Sequence, residues 1–304
     1  MNDFILLVGL PGSGKSCYAE YLKREKDFVV HSSDKIREEF GDVNDQSKNE
    51  EVFKILHQRV KDDLNAGKSV VYDATNLNRR RRVAFLQELK NIPCYKSCVL
   101  IATPWEICLE QNDKRLRRVP DDAMWRMYKS FQMPSVYEGF NSVIVYYGNK
   151  EWKEYYGNVE EYVKSLCDFD QENHHHVLTL GNHMLTAMDS TLHMTSREYN
   201  DVVLATLSHD IGKPVTKSFF NSKGEVGLEA HYYNHQNCGA YNCLFFKYPE
   251  YANKQYIALL IESHMKPYME WKQSEKTKEK DLKMFGEQFI NDVMTIHAAD
   301  VAAH

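Results

Sequence analysis

The chain has 304 residues, 43% hydrophobic and 27% charged, with a net charge of −5. That length allows two domains with separate cores, the apolar share excludes a largely disordered chain, and the acidic balance excludes a protein that coats nucleic acid by bulk charge. The seven cysteines include no Cys-x-x-Cys spacing, which excludes a zinc ribbon and a disulfide scaffold and leaves reduced thiols as the expectation.

In chain order, Phe4-Ile-Leu-Leu-Val8 is a short apolar run that predicts a buried strand. Gly9-Leu-Pro-Gly-Ser-Gly-Lys-Ser16 follows, and residues 17–22 read as the helix it feeds. Glycines at 9, 12 and 14 clear side chains from the backbone, so successive N–H groups and the helix N-terminus can face an anion. Gly12, Ser13, Gly14, Lys15 and Ser16 are therefore expected to hold the phosphates of ATP, or another nucleoside triphosphate, with magnesium. A second strand, 28–30, delivers Asp34 to the same edge of an α/β sheet, and Asp34-Lys-Ile-Arg37 opens a helix with carboxylate and guanidinium on one face. Asp34 could take the proton of an attacking hydroxyl and Arg37 could hold a neighbouring phosphate.

Residues 49–66 carry a helical stripe of Val52, Ile55, Leu56, Val60 and Leu64. A third strand, 68–72, ends in Asp73-Ala-Thr-Asn76, where the carboxylate could order magnesium or the acceptor. The basic run Arg79–Arg82 comes next, either a solvated face or a grip on a polynucleotide backbone. A fourth strand, 96–102, precedes a helix bearing Lys114 and Arg115, with Arg117 and Arg118 beyond, and arginines on a mobile segment suit a lid over a transferring phosphoryl group. Strand 142–146 closes a parallel sheet covered on both faces by helices.

From 148 to 172 the composition turns aromatic and charged, which places a linker there between residues 1–150 and 151–304. Eleven of the thirteen histidines lie beyond residue 173, strand signals nearly vanish, and helical stripes predict an all-α second domain. His183, the pair His209-Asp210, His235, His264 and Asp300 fall on or near the ends of separate predicted helices. Imidazoles and carboxylates without thiolates suit one or two divalent ions such as manganese, nickel, cobalt, iron or zinc. His231 is a weaker candidate, and His174–His176 reads as structural. With no membrane-length apolar run, leader peptide or lipidation motif in view, a cytoplasmic protein without a membrane partner is expected.

These motifs resemble two known families. The Gly-rich loop, Asp34-x-x-Arg37, Thr75-Asn-Leu-Asn78 with Arg81-Arg82, Pro104-Trp105, Lys114-Arg115, Val119-Pro120 and Met127-Tyr-Lys-Ser130 stand in the order of the bacteriophage-type polynucleotide 5′-kinases, over about residues 3–131. That resemblance implies that Asp34 is the general base for a 5′-hydroxyl, that Arg37 contacts the acceptor phosphate and that Arg115 is a lid arginine on the donor. The sequence departs from the pattern at Gln111, where another lid arginine would stand, and Arg117 or Arg118 could substitute. The second half is similar to the HD phosphohydrolase superfamily through His183, Leu207-Ser-His-Asp-Ile-Gly-Lys-Pro214, His235, His264 and Asp300. By that likeness His183, His209, Asp210 and Asp300 hold a first metal, His235 and His264 complete a second, and Lys213 neutralises phosphate charge.

A kinase and a phosphoesterase acting on one position would undo each other, whereas at opposite ends of a broken strand they cooperate. The expectation is a bifunctional enzyme that phosphorylates 5′-hydroxyl ends of RNA, or DNA, and acts at 3′ ends as a 2′,3′-cyclic phosphodiesterase and phosphatase, leaving ends for an RNA ligase. The rivals are a nucleoside or small-metabolite kinase fused to a nucleotide phosphohydrolase, and a nucleotide-sensing regulator whose HD half binds without turnover.

Overall fold

The computed structural model describes residues 2–41, 47–174, 177–195 and 200–304, and two of the three clustered histidines, His175 and His176, lie outside them. The chain divides into two compact units, one of residues 1–124 and 134–148, the other of residues 125–133 and 149–304.

In the first unit β1 (Asn2–Val8), β2 (Val29–Ser32), β3 (Val70–Asp73), β4 (Cys94–Ala102) and β5 (Ser142–Tyr147) form one parallel sheet in the order β2-β3-β1-β4-β5. The five strands expected from the sequence are these five. β1 lies at the centre because its side chains satisfy both faces: Phe4, Leu6, Leu7 and Val8 are all buried, each contributing roughly 1.5–3 kcal/mol of apolar transfer energy. The helices are α1 (Lys15–Lys26), α2 (Ser33–Glu39), α3 (Asn49–Asn65), α4 (Arg79–Glu88) and α5 (Trp105–Asp113), while α6 (Asp121–Lys129) begins in this unit and is counted with the second from residue 125. On α3 the buried face is Val52, Leu56, Val60 and Leu64, a strict four-residue ridge. The chain leaves β1 for β2 on one side and later crosses to β4 on the other. The strand order therefore reverses at β1, and the crevice beyond its carboxyl end is where an open α/β sheet binds ligands.

The second unit is helical, with α7 (Val159–Ser165), α8 (Leu180–Thr195), α9 (Asp201–Ser208), α10 (Lys213–Thr216), α11 (His235–Asn242), α12 (Lys254–Ser263), α13 (Glu270–Gln273), α14 (Glu275–Phe285) and α15 (Glu287–Ala302). Every residue of α9 from Val202 to Ser208 is buried, so α9 is the core rod of this unit. The segment 125–133 belongs to it through Tyr128, whose hydroxyl donates to Asn242 Oδ1 at 2.6 Å, and Phe131, whose ring meets Tyr241 edge-on at 4.9 Å. One feature departs from an all-helical reading: β6 (Ser218–Phe220) and β7 (Val226–His231) form an antiparallel hairpin. Its turn closes through Gly224, whose φ of +81° is costly for any residue with a Cβ. Among the described residues no helix is long and apolar enough to cross a membrane.

Candidate active sites

The phosphate loop runs from the end of β1 into α1. Gly12 sits at φ +79°, and a Cβ there would stand 2.3 Å from the Cys108 carbonyl oxygen, so only glycine lets the loop lie against α5. Lys15 is buried, yet its Nζ has neutral partners, the Leu10 carbonyl at 2.8 Å and Ser13 Oγ at 3.4 Å. Burial pushes the Lys15 ammonium below its ordinary pKa, and the Asp73 carboxylate only partly offsets that. A buried cation held by a loop carbonyl fits an anion at the loop. Ser16 Oγ donates to Asp73 Oδ2 at 3.1 Å, which brings the hydroxyl and carboxylate suited to magnesium together.

Asp34 stands in the first turn of α2 among three guanidinium groups. Arg37 Nη1 lies 3.1 Å from its Oδ1, Arg117 Nη1 3.0 Å from the same oxygen, and Arg115 Nη2 3.9 Å from Oδ2. Arg37 is 7% exposed, donates to Asn49 Oδ1 at 2.7 Å, and leaves its Nε without a hydrogen-bond partner. Of the two arginines that could replace the one missing at Gln111, Arg117 reaches Asp34, whereas Arg118 is engaged by Asp113 at 2.6 Å and Asp121 at 2.7 Å. The run Arg79–Arg82 separates. Arg82 is fully buried on Glu138, Arg79 is buried beside the same carboxylate at 3.4 Å, and only Arg80 and Arg81 are exposed.

In the second unit the six residues singled out from the sequence converge. Asp210 Oδ2 lies 3.3 Å from His209 Nε2 and 3.6 Å from His183 Nε2, while its Oδ1 lies 3.1 Å from His235 Nε2 and 3.7 Å from His264 Nε2. Asp300 Oδ1 approaches His183 Nε2 at 3.0 Å and His209 Nε2 at 3.6 Å. One carboxylate thus offers an oxygen to each of two imidazole pairs.

The local fold sets this up. His209 and His264 follow the last turns of α9 and α12, where carbonyls lack helical partners. Their Nδ1–H groups donate three residues back, to Thr206 O at 2.7 Å and Ile261 O at 2.7 Å, and His235 does the same to Tyr232 O at 2.8 Å. A carbonyl can only accept, so each ring is held with Nδ1–H on the backbone and Nε2 facing the cluster, where the neutral imidazole offers a lone pair. His183 Nε2 and His209 Nε2 are then 3.2 Å apart, as are His235 Nε2 and His264 Nε2, a repulsive arrangement that a cation resolves. Gly212 permits the approach of α11, since a Cβ there would stand 2.0 Å from the His235 carbonyl.

The buried carboxylates favour a positive charge at this place, here carried by a protonated imidazole. Burial works against a charge on His209, yet the Asp210 and Asp300 carboxylates push it up to about 10. Burial and neighbouring imidazoles take His264 down to about 3. Burial alone would raise Asp300, but hydrogen bonds from His183, His209 and His304 hold it well below the carboxylate range. The donor set fits divalent cations, with three groups of close ligand atoms: His183, His209 and Asp210; His183, Asp300 and His304; and Asp210, His235 and His264.

Lys213 Nζ lies 2.6 Å from Asp210 Oδ2 and donates to Gln171 Oε1 at 2.8 Å. Two further groups were not anticipated. His304 Nε2 is 3.5 Å from Asp300 Oδ1, and the four-residue helical spacing was the available signal. Tyr268 donates to Asp300 Oδ2 at 3.0 Å from a segment with no recognisable pattern. The cluster opens into a cavity of about 580 Å³ lined in part by His231, which joins none of the three donor groups. His174 pairs with Glu229 at 2.8 Å on the surface.

Residues 4–134 match the family described as AAA domain, and residues 176–302 match the family described as HD domain. The L-seryl-tRNA(Sec) kinase of Methanococcus maripaludis is 26% identical over 135 residues, 43% of this chain and 52% of that protein, so the chain spans about half the length of the curated relative it matches. Among solved structures, that of the Pnkp1/Rnl/Hen1 RNA repair complex is similar at 26% identity and a TM-score of 0.37, covering 42% of this chain and 43% of that one. A gluconokinase from Sinorhizobium meliloti is similar at 15% identity and a TM-score of 0.36, covering 48% and 82%. The chain joins an α/β P-loop kinase domain to an α-helical HD domain.

Proposed function

We propose that the chain is a bifunctional RNA end-healing enzyme, a polynucleotide 5′-hydroxyl kinase joined to a metal-dependent 2′,3′-cyclic phosphodiesterase. The observation that carries this reading is that each unit sets one carboxylate among cations or cation-seeking groups: Asp34 among Arg37, Arg115 and Arg117, and Asp210 between two histidine pairs. The motif resemblance supplies the polynucleotide acceptor, and the curated relative is by name a kinase whose acceptor is borne on tRNA.

In the kinase, the loop N–H groups and Lys15 bind the triphosphate of ATP, and Ser16 with Asp73 would hold its magnesium. The 5′-oxygen attacks the γ-phosphorus, the bond to the β–γ bridging oxygen breaks, ADP leaves, and the hydroxyl proton passes to Asp34. Arg37 takes the acceptor's phosphate, and Arg115 with Arg117 screens charge on the transferring group.

In the HD domain, His183, His209, Asp210, Asp300, His235 and His264 would hold one or two divalent ions, which when bound polarise the phosphate and acidify water. Water adds to phosphorus, one of the two ring P–O bonds breaks, and the released ribose oxygen takes the proton. Lys213 keeps Asp210 ionised and placed. The products are ends for an RNA ligase, and the cytoplasm supplies both ATP and RNA.

The test is an RNA with a 5′-hydroxyl and a 2′,3′-cyclic phosphate, incubated with ATP, magnesium and a panel of divalent metals, with both ends resolved by mass spectrometry. A 5′-phosphate and an opened 3′ terminus are expected. Phosphorylation of free nucleosides alone would instead establish the small-metabolite kinase.

A further inference from the structure

The cavity at the histidine cluster also has lining that takes no part in any of the three donor groups. His231 and Tyr233 present stacked rings, 16° from parallel with centroids 5.3 Å apart. Between them Tyr232, which also lines the cavity, donates its hydroxyl to the Gln171 carbonyl at 2.5 Å, and its ring lies 5.4 Å from Lys213 Nζ. Tyr233 remains 43% exposed, an aromatic face that its own fold does not cover.

Asn234 follows with φ +63°, a left-handed conformation that asparagine tolerates better than most residues. It occupies the N-cap position of α11, yet its side chain makes no capping bond. Among the described residues neither the Asn234 nor the Gln236 amide has a hydrogen-bond partner, and both line the cavity. Each amide offers donors and an acceptor together, which is what the edge of a heterocyclic base requires. Met265 and Met269 add polarisable apolar surface to the same space.

We propose that this lining is a nucleobase subsite. The His231–Tyr233 pair stacks the base of the ribonucleotide whose phosphate lies at Asp210, and Asn234 with Gln236 engages the base edge. A site for a bare phosphate needs no stacked aromatic platform, whereas an unpaired base gains from one. The volume of about 580 Å³ suits one nucleotide and excludes a duplex, so the substrate is the terminal, single-stranded residue of an RNA. This inference deepens the phosphodiesterase reading and rests on it for the phosphate step.

The experiment compares adenosine 2′,3′-cyclic phosphate with 1-O-methylribose 2′,3′-cyclic phosphate, using the full chain loaded with manganese. Wild type is expected to favour the base-bearing substrate in kcat/KM by about tenfold or more. Tyr233→Ala should bring that ratio near one, while Tyr233→Phe, which keeps the ring, retains it. Equal turnover of both substrates by wild type, or an undiminished ratio in Tyr233→Ala, overturns the subsite. Turnover of neither substrate refutes the phosphodiesterase reading separately. The subsite is then decided by calorimetric titration of adenosine 2′-monophosphate against ribose 5-phosphate. About tenfold tighter binding of the nucleotide, lost in Tyr233→Ala, upholds it, and equal binding overturns it.

Discussion

Arg82 and Glu138 meet in a bidentate pair, Nε to Oε2 at 2.7 Å and Nη2 to Oε1 at 2.6 Å, with neither side chain exposed. The same guanidinium donates to the Asn76 and Leu77 carbonyls at 2.9 and 3.1 Å, so it ties the turn after β3 to the segment before β5. Removing one partner strands the other without water. Arg82→Ala is expected to lower stability by about 3–5 kcal/mol, read from the urea unfolding midpoint, whereas Arg81→Ala, three atoms of chain away but exposed, should change it by less than about 0.5 kcal/mol. Equal effects from the two would contradict the structural assignment of Arg82.

For the kinase, Asp34→Ala is expected to lower kcat for 5′-phosphorylation by about 10²–10⁴ with KM for ATP nearly unchanged, as loss of a general base does. Arg117→Ala should be severe and Arg118→Ala mild, because the first faces Asp34 and the second is held by Asp113 and Asp121. Steady-state kinetics on a 5′-hydroxyl oligonucleotide ranks the three. A larger loss in Arg118→Ala than in Arg117→Ala would reverse the lid assignment.

Periodicity and punctuation made the strands of the first unit and the P-loop readable, because a buried parallel strand is a short apolar run and a phosphate loop needs its glycines. The ligand residues of the second unit were readable as residue types at helix ends, though sequence gives no distances, and Asp210 bridging two pairs is a tertiary fact. What sequence hid has physical causes. An arginine inside a basic run looks solvated until Glu138, far along the chain, supplies its counter-charge. Tyr268 carries no mark of its bond to Asp300. The β6–β7 hairpin escaped because exposed strands such as Val226–His231 lack the alternation that one buried face would impose.

His57 offers a pH test. Its Nδ1 is 2.9 Å from Glu88 Oε1 and its Nε2 is 3.3 Å from the Tyr72 hydroxyl, with Lys61 on the same carboxylate at 2.8 Å. Burial pushes His57 below its ordinary value of 6.5, more than Glu88 raises it. The folded protein therefore resists protonation that the unfolded chain accepts, so this contribution is whole above about pH 6.5 and is lost as pH falls below it. Glu88 acts in the same direction lower down. Burial opposes its charge but Lys61 and His57 prevail, so its contribution is lost below its ordinary 4.5. Urea midpoints measured from pH 7.5 to 5 should fall less steeply for His57→Gln than for wild type. Parallel curves would remove His57 from the account.

The shared carboxylate of the HD domain yields the sharpest separation of the two units. Asp210 contributes to two of the three donor groups, so Asp210→Ala should weaken binding at both of those groups and not at one alone. Manganese titration followed by calorimetry, together with metal content after dialysis, reads this without any catalytic assay. Tyr268→Phe removes only the hydroxyl that orients Asp300 Oδ2, and losses of outer hydrogen bonds of this kind weaken metal binding by about 10–100-fold. His264→Ala touches the His235 group alone and should leave the group of His183 and His209 able to bind. In Asp210→Ala, phosphorylation of a 5′-hydroxyl oligonucleotide should persist while opening of the cyclic phosphate disappears. Loss of both activities in that variant would mean that the two chemistries share a single site, contrary to the separate carboxylates at Asp34 and Asp210.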